Sequence, residues 1–145
     1  MSLQVKFYDT VEDKLLKFAV IISKSNGKWV YVKHKERDTF EVPGGHREKG
    51  ETILETAHRE LKEETGATDY TITPVCIYSV IQKNTENAET TETFGMLYFA
   101  EINSFESELH SEIELVKLFD EIPKNQTYPL IQPFLLKEAK RRNII

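Results

Sequence analysis

Glu60, Glu63 and Glu64 crowd three carboxylates into five consecutive positions of the stretch "RELKEET", and a fourth, Glu51, lies a little upstream. Like charges three or four residues apart on a helix repel one another, so such a cluster beside apolar residues needs compensation. Hard oxygen ligands of this kind suit Mg²⁺ or Mn²⁺, ions that commonly clamp phosphate oxygens. Two such ions can activate a water and neutralise a leaving phosphate in an in-line displacement. Just upstream, Gly44-Gly45 in "PGGHR" lets the backbone approach closely, so a main-chain carbonyl could reach a metal. The plainer alternative is a solvated helix face, in which Arg59 and Glu63 make an ordinary i,i+4 pair and Pro43-Gly44-Gly45 is a turn.

The carboxylates need a helix to hold them, and the sequence marks both ends of one. Thr52 and Glu55 have capping-box spacing, and Gly66 stands where a left-handed residue closes the last turn. At about 100° per residue, Leu54, Ala57 and Leu61 form the expected core stripe, with Glu60, Glu63 and Glu64 on the flank beside it. A charged cluster at the edge of a buried face is costly without a partner. His58 falls near the stripe and reads as a satisfied, half-buried histidine.

Around this helix the reading is mostly β. Lys17 to Ser23 and Lys28 to His34 are strand-like and joined through Asn26-Gly27, a strong hairpin signal. Thr39 to Val42 reads as a brief strand, and longer strands are expected over Thr71 to Gln82 and Phe94 to Ile102, flanking the polar loop "KNTENAETTET". Ile113 to Phe119 is a further strand, and "YPLIQPFLLKEAKRRN" has the apolar spacing of a final helix. Lys140, Arg141 and Arg142 would complement its dipole. The pattern predicts an α/β (α+β) fold, a sandwich around a mixed sheet, in one domain over residues 1–145.

Composition narrows the partners. A net charge of −5 argues against a duplex nucleic-acid binder working through a basic face, though not against a nucleotide substrate. Cys76 is the single cysteine, which excludes an intrachain disulfide and, in an apolar run, reads as a buried hydrophobe. No run is long and apolar enough to span a membrane, so the expectation is a cytoplasmic protein. Monomer and homodimer both remain open.

Gly45, five residues, Glu51, seven residues, then Arg59-Glu60-Leu61-Lys62-Glu63-Glu64-Thr65-Gly66-Ala67 follows the pattern G-x5-E-x7-R-E-U-x-E-E-x-G-U, where U is apolar. This resembles the box of the Nudix hydrolases. Seven fixed positions at about 7% each match by chance on the order of 10⁻⁸ times per starting point. The resemblance implies an α/β/α sandwich with a central mixed β-sheet. It also implies Mg²⁺- or Mn²⁺-dependent hydrolysis of a phosphoanhydride in a nucleoside diphosphate derivative. By the same resemblance Glu60 and Glu64 are the principal metal ligands, joined by Glu63 and the Gly44 carbonyl. Glu112 is a further ligand candidate downstream, with an exposed loop carboxylate as its alternative. Arg59 would orient a carboxylate and Glu51 would fix the loop–helix junction. Glu60 is the expected general base, with Glu63 as its rival.

One departure is visible. Where a lysine commonly follows the glycine pair in MutT-like members, this chain has His46 and Arg47. Either Arg47 is therefore the cation facing the phosphates, beside Gly45 and His46, or charge support there is weaker. Further help would come from the basic run Lys33, His34, Lys35 and Arg37, which is otherwise a solvated strand end. Phe40, Tyr78 and Phe94 could stack on a base or simply belong to the core. The stretch "VKHKERDTFEVPGGH" resembles MutT-like enzymes acting on nucleoside triphosphates, including oxidised purine forms, or on 5′-triphosphate RNA ends. A Nudix-fold module that binds nucleotide without turnover is the alternative, and an interaction domain with a solvated helix is a third reading.

Overall fold

The computed structural model describes residues 2–106 and 113–145. Seven strands make one sheet. In chain order they are β1 (Ser2–Tyr8), β2 (Leu16–Ser25), β3 (Lys28–His34), β4 (Gly44–His46), β5 (Ala67–Lys83), β6 (Thr90–Phe105) and β7 (Ile113–Phe119). Among the described residues two α-helices, α1 (Ile53–Thr65) and α2 (Gln132–Arg141), and a single 3₁₀ turn at Asp13–Leu15 accompany the strands. The sheet runs β1-β5-β6-β2-β3-β7, with β4 attached to β2 off this path. Among the strand pairs of the described residues β2 with β6 is parallel and the others are antiparallel, so the sheet is mixed.

Residue alternation sends side chains to two cores. Ala19 and Ile21 of β2, Val30 of β3 and Tyr98 and Ala100 of β6 meet Ala57 and Leu61 of α1. On the other face Ile22, Tyr78, Val80 and Leu97 meet Leu135, Leu136 and Ala139 of α2. One helix per face makes the α/β/α arrangement. Strand β5 serves both cores: Ile72 faces α1, yet Cys76, Tyr78 and Val80 face α2. A register shift between Pro74 and Cys76 inserts the odd residue that reverses the alternation.

Strands β2 and β3 are hydrogen-bonded only at their hairpin end, Lys24 to Trp29 and Ser25 to Lys28. Further along they part, and residues 41–46 fill the gap. On one side Phe18, Ala19 and Val20 pair with His46, Gly45 and Gly44. On the other, Val32 and Glu41 exchange both backbone hydrogen bonds, at 2.9 and 3.0 Å. The expected strand over Thr39 to Val42 is thus a pair of isolated bridges, Val32 with Glu41 and Phe40 with Gln126.

Helix α1 begins with the complete capping box of Thr52 and Glu55 and ends at Gly66, whose φ of 76° is the left-handed conformation glycine adopts without strain. The expected core stripe needs one correction. Leu54 is 44% exposed, whereas Ile53 packs on the core, so the buried face is rotated toward Glu64. Two edges also differ. Ser2 to Tyr8, given no element from sequence, pairs along β5. The long hairpin reaches into the polar stretch, β5 ending one residue past Gln82 at Lys83 and β6 starting four residues before Phe94 at Thr90. Polar residues there hide the strands because both faces are wet. Lys140 and Arg141 lie in the last turn of α2 with Arg142 at its C-cap, and Arg141 and Arg142 also pair with Glu138.

The rotated face gives a direct check. Leu61→Ala should cost roughly 3 kcal/mol by emptying a fully buried site, while Leu54→Ala should change stability by less than about 0.5 kcal/mol. Chemical denaturation of the two variants measures both.

Candidate active site

A cavity of about 510 Å³ opens on the α2 side of the sheet where β2 and β3 separate. Its floor is apolar, with Phe18, Val20, Tyr78 and Val80, and its polar rim carries Gly44, Gly45 and Glu64. Glu64 sits in the last turn of α1 and is 7% exposed. Its Oε1 accepts a hydrogen bond of 2.8 Å from the Gly44 backbone N–H. Its Oε2 lies 3.4 Å from His34 Nε2, which also stands 3.6 Å from Glu41 Oε2. Burial, opposed by the Gly44 bond and reinforced by Glu60, Glu41 and Glu63, pushes the Glu64 carboxyl up to about 8. A buried carboxylate among other carboxylates fits a cation.

Arg59 organises the opposite edge. Its guanidinium donates to Glu51 through two nitrogens, at 2.6 and 2.9 Å, and to the His46 carbonyl at 3.0 Å. It also donates to Glu60 at 2.7 Å and, more weakly, to Glu63 at 3.4 Å. The hydrogen bonds from Arg59, helped by the Glu48 backbone N–H and Thr56, hold Glu51 down to about 2. Burial raises Glu60 against the lowering pull of Arg59. Gly45 lets Glu60 lie against the glycine turn, because a Cβ at this position would overlap the Glu60 carboxylate and force that side chain to shift.

The three carboxylates do not meet at one point. Glu64 is buried, Glu60 is turned to Arg59, and the Glu63 side chain is 49% exposed. Among the described residues no three His, Cys, Asp or Glu side chains stand together in metal-holding geometry. Glu112 lies outside the described residues. The oxygen donors nevertheless suit a hard divalent ion.

Among the expected substrate-binding and basic or aromatic candidates, His34, Arg37, Gly45, His46 and Tyr78 line the cavity. Arg47 does not. Its guanidinium is used by Asp13 and by the carbonyls of Asp13, Leu16 and Glu51, which buckle the loop before α1. Phe40 packs edge-on against Phe119, with centroids 5.0 Å apart, and Phe94 packs at a tilt against Tyr8 at 5.4 Å, and neither lines the cavity. Lys33 bonds the Arg37 carbonyl and Glu114. His58 bonds the Tyr70 hydroxyl and is lowered by its burial. Sequence reasoning missed Glu41 and Tyr128. Alternation through Thr39-Phe40-Glu41-Val42 turns Glu41 outward, but the two-sided pairing of this segment leaves it 7% exposed.

The NUDIX domain family model matches residues 13–143, nearly the whole chain. The chain belongs to the Nudix family. It is a Nudix hydrolase, and members of the family generally use divalent cations. Among relatives, "Putative 8-oxo-dGTP diphosphatase YtkD" of Bacillus subtilis (strain 168) is 30% identical over 139 residues, covering 95% of this chain and 84% of that protein. The pyrophosphohydrolase BsRppH of Bacillus subtilis, solved as a point mutant, is 29% identical with a TM-score of 0.76, covering 96% and 90% of the two chains. A C. elegans Ap4A hydrolase shares the fold at 18% identity and a TM-score of 0.65, over 90% and 99%. No helix among the described residues is long and apolar enough to cross a membrane.

Protonation gives the prediction for this Nudix site. Metal-free folded protein keeps the Glu64 proton up to about pH 8, whereas the unfolded chain releases it near 4.5. The native state binds more protons in that window, so stability should fall as pH rises through it. Glu51 and Glu138, both held down to about 2, act oppositely and should lose their contribution as pH falls from 4.5 toward 2. Melting temperatures in EDTA should therefore decline on both sides, and Glu64→Gln should flatten only the alkaline limb.

Proposed function

We propose that this chain is a MutT-like nucleoside triphosphate pyrophosphohydrolase working with Mg²⁺ or Mn²⁺. The observation that carries this reading is the buried Glu64 carboxylate, bonded to the Gly44 N–H at the rim of a cavity large enough for a nucleotide. Glu60 and Glu64 would hold the metal, with Glu63 and the Gly44 carbonyl completing the set. When bound, the metal polarises the phosphoanhydride and offsets charge on the leaving phosphate. Glu60 takes the proton of the attacking water, with Glu63 as the rival base. Arg59 orients Glu60, and Glu51 clamps Arg59 from the other side. His46 and the Gly45 backbone would face the phosphates, and Arg37, the cavity's accessible guanidinium, would contact the nucleotide elsewhere on the same cavity, while Arg47 is held away by Asp13 and backbone carbonyls.

The names of the relatives support nucleoside triphosphates, with oxidised purine forms and 5′-triphosphate RNA ends as substrates to be tried. The lone buried Cys76 supports a cytoplasmic setting for a single domain. A second reading, a Nudix-fold module that binds nucleotide without turnover, draws on the Arg59–Glu60 ion pair, which occupies a principal metal ligand.

Mg²⁺ or Mn²⁺ at a hundredfold excess over its Kd should raise the melting temperature by roughly 5–10 °C. Glu64→Gln should remove that rise and cut turnover by roughly 10²-fold or more. A phosphate-release panel of canonical triphosphates, 8-oxo-dGTP, ADP-ribose, dinucleoside polyphosphates and 5′-triphosphate RNA identifies the substrate. Survival of the metal-induced rise in Glu64→Gln would displace the site, and inactivity across the panel would favour the binding module.

A further inference from the structure

Behind the cavity rim two loops are zipped together. The Phe40 N–H donates to the Asn125 carbonyl and the Thr127 N–H to the Phe40 carbonyl, both at 2.9 Å. The Thr39 and Thr127 hydroxyls meet at 2.6 Å, and Asn125 Nδ2 donates to the Asp38 carbonyl at 3.2 Å. This braced wall ends in two planar groups that line the cavity, Arg37 from one loop and Tyr128 from the other. The guanidinium carbon of Arg37 lies 5.9 Å from the Tyr128 ring centroid, and Arg37 Nη1 donates to Oε1 of the buried Glu41 at 2.8 Å. Tyr128 remains 38% exposed and the Arg37 side chain 45%.

A large ring left open beside an apolar cavity is an unfilled contact surface. Tyr78, 2% exposed, is packed too deeply to offer its face. Tyr128 is backed by the loop zipper, and Arg37 is held in place by Glu41, so neither plane must be ordered when a ligand arrives. Stacking on an aromatic ring or on a guanidinium plane is what a flat heterocycle requires, and it tolerates any base because every base has a π-face. The phosphate end of a nucleotide belongs near Glu64, on the same cavity.

We propose that Tyr128 and Arg37 form the nucleobase platform of this site, with Glu41 as the residue that positions Arg37. The proposal rests on the nucleotide reading of the cavity, and it assigns the base contact to the loop wall rather than to Phe40, Tyr78 or Phe94. It separates base recognition, on the two loops, from phosphate chemistry, on α1 and the glycine turn.

The test compares guanosine 5′-monophosphate with ribose 5-phosphate by calorimetry in EDTA, so that binding is read without turnover. Wild-type protein should bind the nucleotide about tenfold more tightly than the sugar phosphate. Tyr128→Ala should erase that ratio while leaving sugar-phosphate affinity and the melting temperature unchanged, and Tyr128→Phe should restore it. Glu41→Gln should weaken nucleotide binding less than Arg37→Ala does. In steady-state assays Tyr128→Ala should raise KM about tenfold for a nucleoside triphosphate, leave kcat within about threefold, and leave tripolyphosphate unaffected. Equal affinity of wild type for both ligands, or an unchanged ratio in Tyr128→Ala, overturns the platform. Inactivity of wild type toward every phosphoanhydride, with a Tyr128-dependent ratio intact, overturns the hydrolase reading and leaves the platform standing.

Discussion

The site depends on a gap in the sheet. Once β2 and β3 part beyond their hairpin, unpaired backbone groups along two strands need partners, since buried donors and acceptors left unmade are expensive. Residues 41–46 supply them on both sides, to Val32 on one flank and to Phe18, Ala19 and Val20 on the other. The wedge thereby exposes the Gly44 N–H to the last turn of α1, where Glu64 accepts it. Helix, glycine turn and cavity are locked by one bond between a buried carboxylate and a main-chain amide.

Charge is distributed unevenly around that lock. Arg59 satisfies Glu51 fully and Glu60 in part, while Glu64 receives only an amide and a histidine edge. The protein thus keeps its structural carboxylate well neutralised and its cavity carboxylate poorly so. Glu51 is lowered and Glu64 raised, from the same kind of side chain thirteen residues apart. Environments that separate like groups in this way accompany functional sites.

What the sequence discloses follows the range of the interactions. The capping box, the left-handed Gly66 and the glutamate spacing are local, and they are legible residue by residue. The facing of α1 was legible only to within one residue, because the wedge, not the helix, decides that Ile53 and Glu64 turn inward and Leu54 outward. Arg47 and Arg37 are similarly indistinguishable as cations in a string of letters. The carbonyls of Asp13, Leu16 and Glu51 and the Asp13 carboxylate capture one, and a single carboxylate and a ring leave the other at the cavity. The burial of Glu41 arises from its bridge to Val32, on a separate strand, and the placing of Tyr128 from loop contacts such as Thr39 with Thr127, 88 positions apart in the chain, which no short-range pattern encodes.

The irregularity at Pro74–Cys76 makes β5 a strand read in two phases. Its first half dresses the helix face and its second half paves the cavity, and the single supernumerary residue between them is what switches the parity. Removing that residue would swing Tyr78 and Val80 away from the floor and bring the polar Ser79 in. Length variation along this long hairpin is therefore tolerable at its wet tip, near Asn84 to Glu89, and forbidden at the kink. The chain's grip on its ligand is set partly by counting.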